Sequence, residues 1–144
     1  MISLKNPIGI ILTKDLVLKA NFLDVMAYAI IIQGKRSDNE GLPAHEKTCD
    51  LAWQTFIHNG VDVKYLKYDN NSKLDQPSVD AVEYAITQWA FEEMTGKGSS
   101  LTIVFIGHGS EDIIYIDGEK VHSSVLNSWI TQLQIKIKRK VTTQ

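Results

Sequence analysis

Cysteine is almost missing from this chain: Cys49 is the only one in 144 residues. One thiol excludes an internal disulfide framework and a metal site built from cysteines alone. An excess of charge of either sign is missing too. The net charge of -2 gives no electrostatic pull toward nucleic acid or an anionic membrane, so neither is expected as a partner. The basic tail of Lys136, Lys138, Arg139 and Lys140 reads as a solvated face. No apolar run approaches the roughly 18 to 20 residues of a membrane span. The first residues lack the layout of a signal peptide, because Asn6, Pro7, Lys14 and Asp15 interrupt them. There is no internal repeat and no low-complexity tract. No pair of His, Asp or Glu has a recognisable metal-ligand spacing, so no metal or other cofactor is expected. No Walker loop occurs: Gly107-His108-Gly109-Ser110 is not followed by GKS or GKT.

What is present suits one soluble domain. Hydrophobic residues make up 44% and charged residues 22%, an ordinary balance for a chain that buries a core. Residues 1–24 read as a short β-hairpin. Leu16, Leu18, Ala20 and Phe22 alternate with Val17, Lys19 and Asn21, which suits a half-exposed pair of strands. Residues 25–144 have a different rhythm. Tyr28 to Gln33 is an apolar run, ended by Gly34, and reads as a buried core strand. A polar loop from Lys35 to Gly41 follows. A helix is then predicted from Pro43 near its first turn, a stripe of Cys49, Ala52, Trp53, Phe56 and Ile57, and a C-cap at Asn59-Gly60. His45 and His58 flank it and are expected at the surface. Val61 to Leu66 is the second strand. Ser78 can N-cap a second helix, striped by Val82, Ala85, Ile86, Trp89 and Met94.

Leu101 to Ile106 is the third core strand, apolar and bounded by Gly107. Past it, Asp117-Gly118 between strand-like segments predicts a hairpin. A third helix starts at Ser123 or Ser124 and carries Val125, Leu126, Trp129, Ile130 and Leu133. The last eleven residues are mixed and basic, with Val141 as the start of a further strand. Strands alternating with helices predict an α/β domain with a mostly parallel sheet. Simple winding places consecutive strands side by side. The loops near Arg36 and His108 then open on one edge of the sheet.

That edge carries the chemistry. Parallel strands deliver functional residues at their C-terminal ends. An imidazole ordinarily titrates near neutral pH, so His108 is a candidate general acid or base. Gly109 has no Cβ, so its backbone can come close to a reacting group and its N–H can face an oxyanion. Lys35 and Arg36 at the end of the first strand can bind an acidic or polar substrate group. A nucleophile is harder to find, because Cys49 sits mid-helix, where a small buried core residue is expected.

The stretch from Ile103 to Gly118, IVFIGHGSEDIIYIDG, resembles the block around the catalytic His of the caspase-like (clan CD) cysteine peptidases. That group includes the caspases, legumain-type peptidases, gingipains and clostripain. Its mark is a hydrophobic strand ending in His-Gly, followed by a hairpin that often carries Asp-Gly. Ala27 to Asn39, AYAIIIQGKRSDN, resembles the family's first strand and the loop that helps line its specificity pocket. The resemblance extends from Ala27 to Leu133 and implies a three-layer α/β/α fold with a small hairpin after the His-Gly strand. It implies that His108 is the catalytic His and Gly109 the oxyanion donor. Arg36, Ser37 and Asp38 would line the substrate pocket, and the substrate would be a peptide or protein.

In the family, the nucleophilic Cys ends the next core strand. That strand is expected to begin near Lys140 to Thr142, and no Cys follows His108. These residues are therefore expected to be the His-bearing part of a longer endopeptidase, inactive alone. The alternative is a non-catalytic pseudo-peptidase or interaction domain of the same fold. A generic nucleotide-binding domain is disfavoured, since no glycine-rich phosphate loop follows the first strand. An unfinished sheet also has an open edge through which two copies can pair as a homodimer. Asn6 to Phe22 resembles the closing hairpin of small β repeats in secreted or surface bacterial proteins, which implies a larger extracellular parent.

Overall fold

The computed structural model describes residues 26–37, 41–68, 75–94 and 98–143. The hairpin expected in residues 1–24 lies outside them. In chain order the elements are β1 (Ala27–Gln33), α1 (Leu42–His58), β2 (Asp62–Leu66), α2 (Val79–Tyr84), a π-helical turn (Ala85–Trp89), α3 (Ala90–Glu93), β3 (Ser100–Ile106), β4 (Gly109–Ser110), β5 (Ile113–Ile116), β6 (Glu119–His122) and α4 (Ser123–Thr142). The fold is α/β, with a three-stranded parallel sheet and a small antiparallel one.

β1 lies in the middle of the parallel sheet, in the order β2-β1-β3. Simple winding is thus corrected: β2 and β3 flank β1 rather than each other. The reason is visible in β1, which is buried at six of its seven positions. A strand apolar on both faces belongs at the centre of a sheet. Tyr28, Ile30 and Ile32 point into the main core with Val82, Ala85, Ile86, Trp129 and Leu133. Ala29, Ile31 and Gln33 alternate to the opposite face, where α1 packs on β1 and β2. Helices therefore cover both faces of β1. β3 is less protected, with no fully buried residue. Among the described residues its outer edge has no partner strand.

Local signals account for the element ends. Ser78 Oγ accepts the Ala81 N–H at 3.0 Å and caps α2. α1 ends as the Asn59-Gly60 pair predicts, with Gly60 N–H donating to Ile57 O and Val61 N–H to Phe56 O, both at 3.0 Å. Asp117 and Gly118 have φ of 48° and 80°, the pattern of a type I′ hairpin turn. The strand expected at Val141 is overturned, because α4 runs on to Thr142. Ile135-Lys136-Ile137-Lys138 alternates like a strand, yet Ile130, Leu133 and Ile137 recur at helical spacing and pack on the core. Lys136 Nζ donates to Thr87 O at 2.8 Å and Lys140 Nζ to Phe91 O at 3.1 Å, so these lysines hold α4 against the π-helical turn and α3. No described helix is long and apolar enough to cross a membrane.

Gln33 ends β1 and is 1% exposed. Its Nε2 donates to Leu42 O at 3.3 Å, and its Oε1 accepts the Tyr68 N–H at 3.2 Å. One buried amide thus ties the C-terminal end of β1 to the start of α1 and to the exit of β2. Gln33→Leu keeps the bulk and strands both backbone groups. It should cost about 1–3 kcal/mol in denaturant unfolding. An unchanged midpoint would show that the amide ties nothing.

Candidate active site

The chain leaves β1 toward β2 on one side, while β3 lies on the other. The crevice at this switch point is where open α/β sheets hold ligands. Two glycines make it tight. Gly34 N–H donates to Ile106 O at 2.8 Å. A Cβ on Gly107 would lie 2.8 Å from Gly34 Cα, so only glycine permits this approach. The antiparallel sheet is fastened to the same end: Lys35 N–H donates to Tyr115 O at 3.2 Å, and Gly118 N–H to Lys35 O at 2.9 Å. The loops after β1 and β3 therefore open together, as the sequence predicts.

His108 emerges here, half-buried, one residue past Gly107. Its ring meets the ring of His45 edge-on, with centroids 4.9 Å apart and planes at 67°. This corrects the expectation that His45 lies at the surface. It sits half-buried on the first turn of α1, four residues before the buried Cys49 and on the same side. Extending the Cys49 stripe back by one turn would have found it. His58 does lie exposed at the helix end.

The His108 carbonyl accepts the Tyr115 N–H at 3.1 Å, so a ladder bond joins these two opposed residues. Antiparallel pairs alternate in kind. Gly109, opposite Ile114, falls in the other kind, and its N–H is directed away from β5. A Cβ on Gly109 would lie 2.9 Å from Ile113 O, so the hairpin itself also demands glycine there.

Arg36 and Ser37 lie exposed in the bend after β1, at the same end of the sheet as His108. Asp38 lies outside the described residues. Lys35 is drawn inward: its Nζ is 3.4 Å from Asp117 Oδ1 and 4.8 Å from the centre of the Tyr68 ring. Tyr68 OH accepts the Asp117 N–H at 3.0 Å. Burial, with the Asp117 carboxylate adding to it, pushes the Tyr68 phenol up to about 12. This cluster pins the hairpin turn beside the end of β1, and sequence reasoning missed it because Tyr68 and Asp117 are 49 residues apart.

Cys49 is fully buried. Burial pushes its thiol up to about 11, with the neighbouring Tyr65 hydroxyl acting in the opposite direction. Tyr65 OH also donates to Asp50 Oδ1 at 2.8 Å. The thiol is a core group, as expected from its place in the helix. Among the described residues no cluster of three or more His, Cys, Asp or Glu could hold a metal.

No family model, curated protein or solved structure matches this chain.

A thiol near 11 rather than 9 has roughly 100-fold less thiolate at pH 8, and the thiolate is the reactive form. Iodoacetamide should therefore label native Cys49 about 100-fold more slowly than the urea-unfolded chain, or slower still. Labelling at the unfolded rate would mean a reactive thiol. The folded value lies above the unfolded one, so the thiol's contribution to stability is full below pH 9 and falls away as pH rises through 11. Thermal unfolding from pH 8 to 11 should show that loss, reduced in Cys49→Ala.

Proposed function

We propose that residues 25–144 are the His-bearing part of a caspase- or legumain-like cysteine endopeptidase domain acting on a peptide or protein. The observation that carries this is the place of His108. It leaves β3 beside β1 at the switch point of a parallel sheet, followed by a glycine whose N–H is directed away from its ladder. In the proposed reaction a Cys thiolate attacks the scissile carbonyl carbon, and the carbonyl π pair moves onto oxygen. The Gly109 N–H and the nucleophile's own N–H stabilise that oxyanion. The tetrahedral intermediate collapses, the C–N bond breaks, and His108 gives its proton to the leaving amine. His108 then takes a proton from water as the water attacks the thioester carbonyl; the intermediate collapses, the C–S bond breaks, and the carboxylic acid leaves with the thiolate and protonated His108 restored. Arg36, Ser37 and Asp38 contribute to the pocket for the residue before the cut.

The nucleophile is not among these residues, since Cys49 is the only cysteine and is buried in the core. In this proposal it arrives on a further strand paired with the open edge of β3, and residues 25–144 alone do not hydrolyse peptides. The lack of any Cys after His108 equally favours a second reading, a non-catalytic interaction domain of the same fold. In the isolated chain the same edge suits a homodimer.

The coding sequence beyond residue 144 separates the two readings. A buried strand ending in Cys and Gly within about 10 to 30 further residues, a connection plus one strand, is expected for the enzyme. Its absence from the gene would sink the peptidase reading. In the nucleophile-bearing protein, His108→Ala should abolish cleavage of peptide substrates while leaving the circular dichroism unchanged. Cys49→Ser should retain most activity. Near-normal turnover by His108→Ala would defeat the assignment.

A further inference from the structure

We infer that His45 is a positioning residue for His108, holding its ring by shape from the first turn of α1 under a lid made by Gly41. The inference rests on the reading of His108 as the reacting imidazole.

His108 stands between Gly107 and Gly109. Neither neighbour has a side chain to pack on the ring, so what selects its χ1 well comes from outside its own strand. A group that must meet a reacting atom has to be held by packing from outside its own strand. His45 supplies that packing. The centroid separation of 4.9 Å and the angle of 67° fall within the range preferred for edge-to-face aromatic pairs. His45 Nδ1 is buried without a hydrogen-bond partner among the described residues. Its hold on His108 is therefore assigned to ring shape rather than to a hydrogen-bond relay through that nitrogen.

Gly41 closes the pair from above. It is the N-cap residue of α1, with φ of 72° and no side-chain cap. Its carbonyl accepts the His45 N–H at 2.9 Å. A Cβ at Gly41 would lie 2.8 Å from His45 Cε1, 2.9 Å from His45 Nε2 and 3.3 Å from His108 Nε2. Both the positive φ and the lack of room demand glycine, and the second demand comes from the two imidazoles themselves. The turn is in turn anchored to the sheet, since Gln33 Nε2 holds Leu42 O. The end of β1, the start of α1, His45 and His108 thus form one continuous support.

The test reads His108 in this chain with no substrate, by NMR of the 15N,13C-labelled protein. Hα–Hβ couplings report χ1, and ring 15N and 13Cδ2 shifts report the ring's surroundings. The native protein should give one large and one small coupling for His108. In His45→Ala these should collapse toward a common averaged value, with the backbone amide spectrum of β1 and β3 unchanged. His45→Phe, an aromatic ring without nitrogens, should restore two distinct couplings. Gly41→Ala, which crowds both rings, should shift the His108 ring resonances in a folded protein. Distinct couplings persisting in His45→Ala would overturn the inference. So would averaged couplings in His45→Phe, since shape would then not be the means of support. The peptidase reading fails in a different measurement, the absence of cleavage by the nucleophile-bearing protein.

Discussion

Where β1 and β3 end, two backbones touch at Gly34 and Gly107, and the site exists because they do. Any side chain at Gly107 would press on Gly34 Cα and splay the strand ends. The consequences run outward from that contact. Gly34 N–H reaches Ile106 O, Lys35 is delivered to the antiparallel sheet, and Tyr115 N–H meets the His108 carbonyl. The small sheet is thereby locked over the end of the large one. Its residues Ile116 and Val121 sink into the main core. A strand end that would otherwise fray becomes a wall, and His108 leaves it at a defined place.

The inner side of α1 shows how depth alone sorts chemistry. His45 and Cys49 lie one turn apart on the same side of the helix. Cys49 is over the sheet, without exposure, and burial holds its thiol in the protonated form. His45 is at the rim, where the helix begins and the loop from β1 arrives. Desolvation penalises the charged form of any group. The position that silences a thiol at the middle of the helix therefore gives way, one turn earlier, to a position where a ring can serve another ring. The buried amide of Gln33 sets how far α1 sits from the end of β1, and so sets that rim.

Much of the fold was legible because it is local. Apolar runs bounded by glycine read as buried strands, Ser78 as a cap, Asp117-Gly118 as a turn, and the third helix from its stripe. His108 was legible for the same reason: it follows a strong strand. What was not legible depends on distant partners. The order β2-β1-β3 is decided by which strand is apolar on both faces relative to the others. The end of α4 is decided by carbonyls of Thr87 and Phe91 that accept lysines 49 residues away, against a local alternation that imitates a strand. The π-helical turn at Ala85–Trp89 has no sequence signal that we can name. His45 reads as one more polar residue in a first turn until β3 is laid beside β1.

Among the described residues the outer edge of β3 has no partner strand, and that edge gives the proposed chemistry its direction. β3 contributes Leu101, Ile103 and Phe105 to the core side, yet no residue along it is fully buried. A groove between Leu101, Ile103, Ile130, Leu133 and Ile137 runs beside it. Neighbouring strands lie about 4.8 Å apart. A further parallel strand hydrogen-bonded to β3 would bring its last residue about that far from the end of β3, on the side of His108 away from β1. Side chains reaching from two adjacent strand ends span such a gap, which is the arrangement the proposed Cys-His pair requires. A thiol on α1 has no such route, because the helix lies over β1 and β2 and its one cysteine faces their apolar side. In the proposed peptidase the nucleophile therefore belongs to that edge, since Cys49 is fully buried in the core.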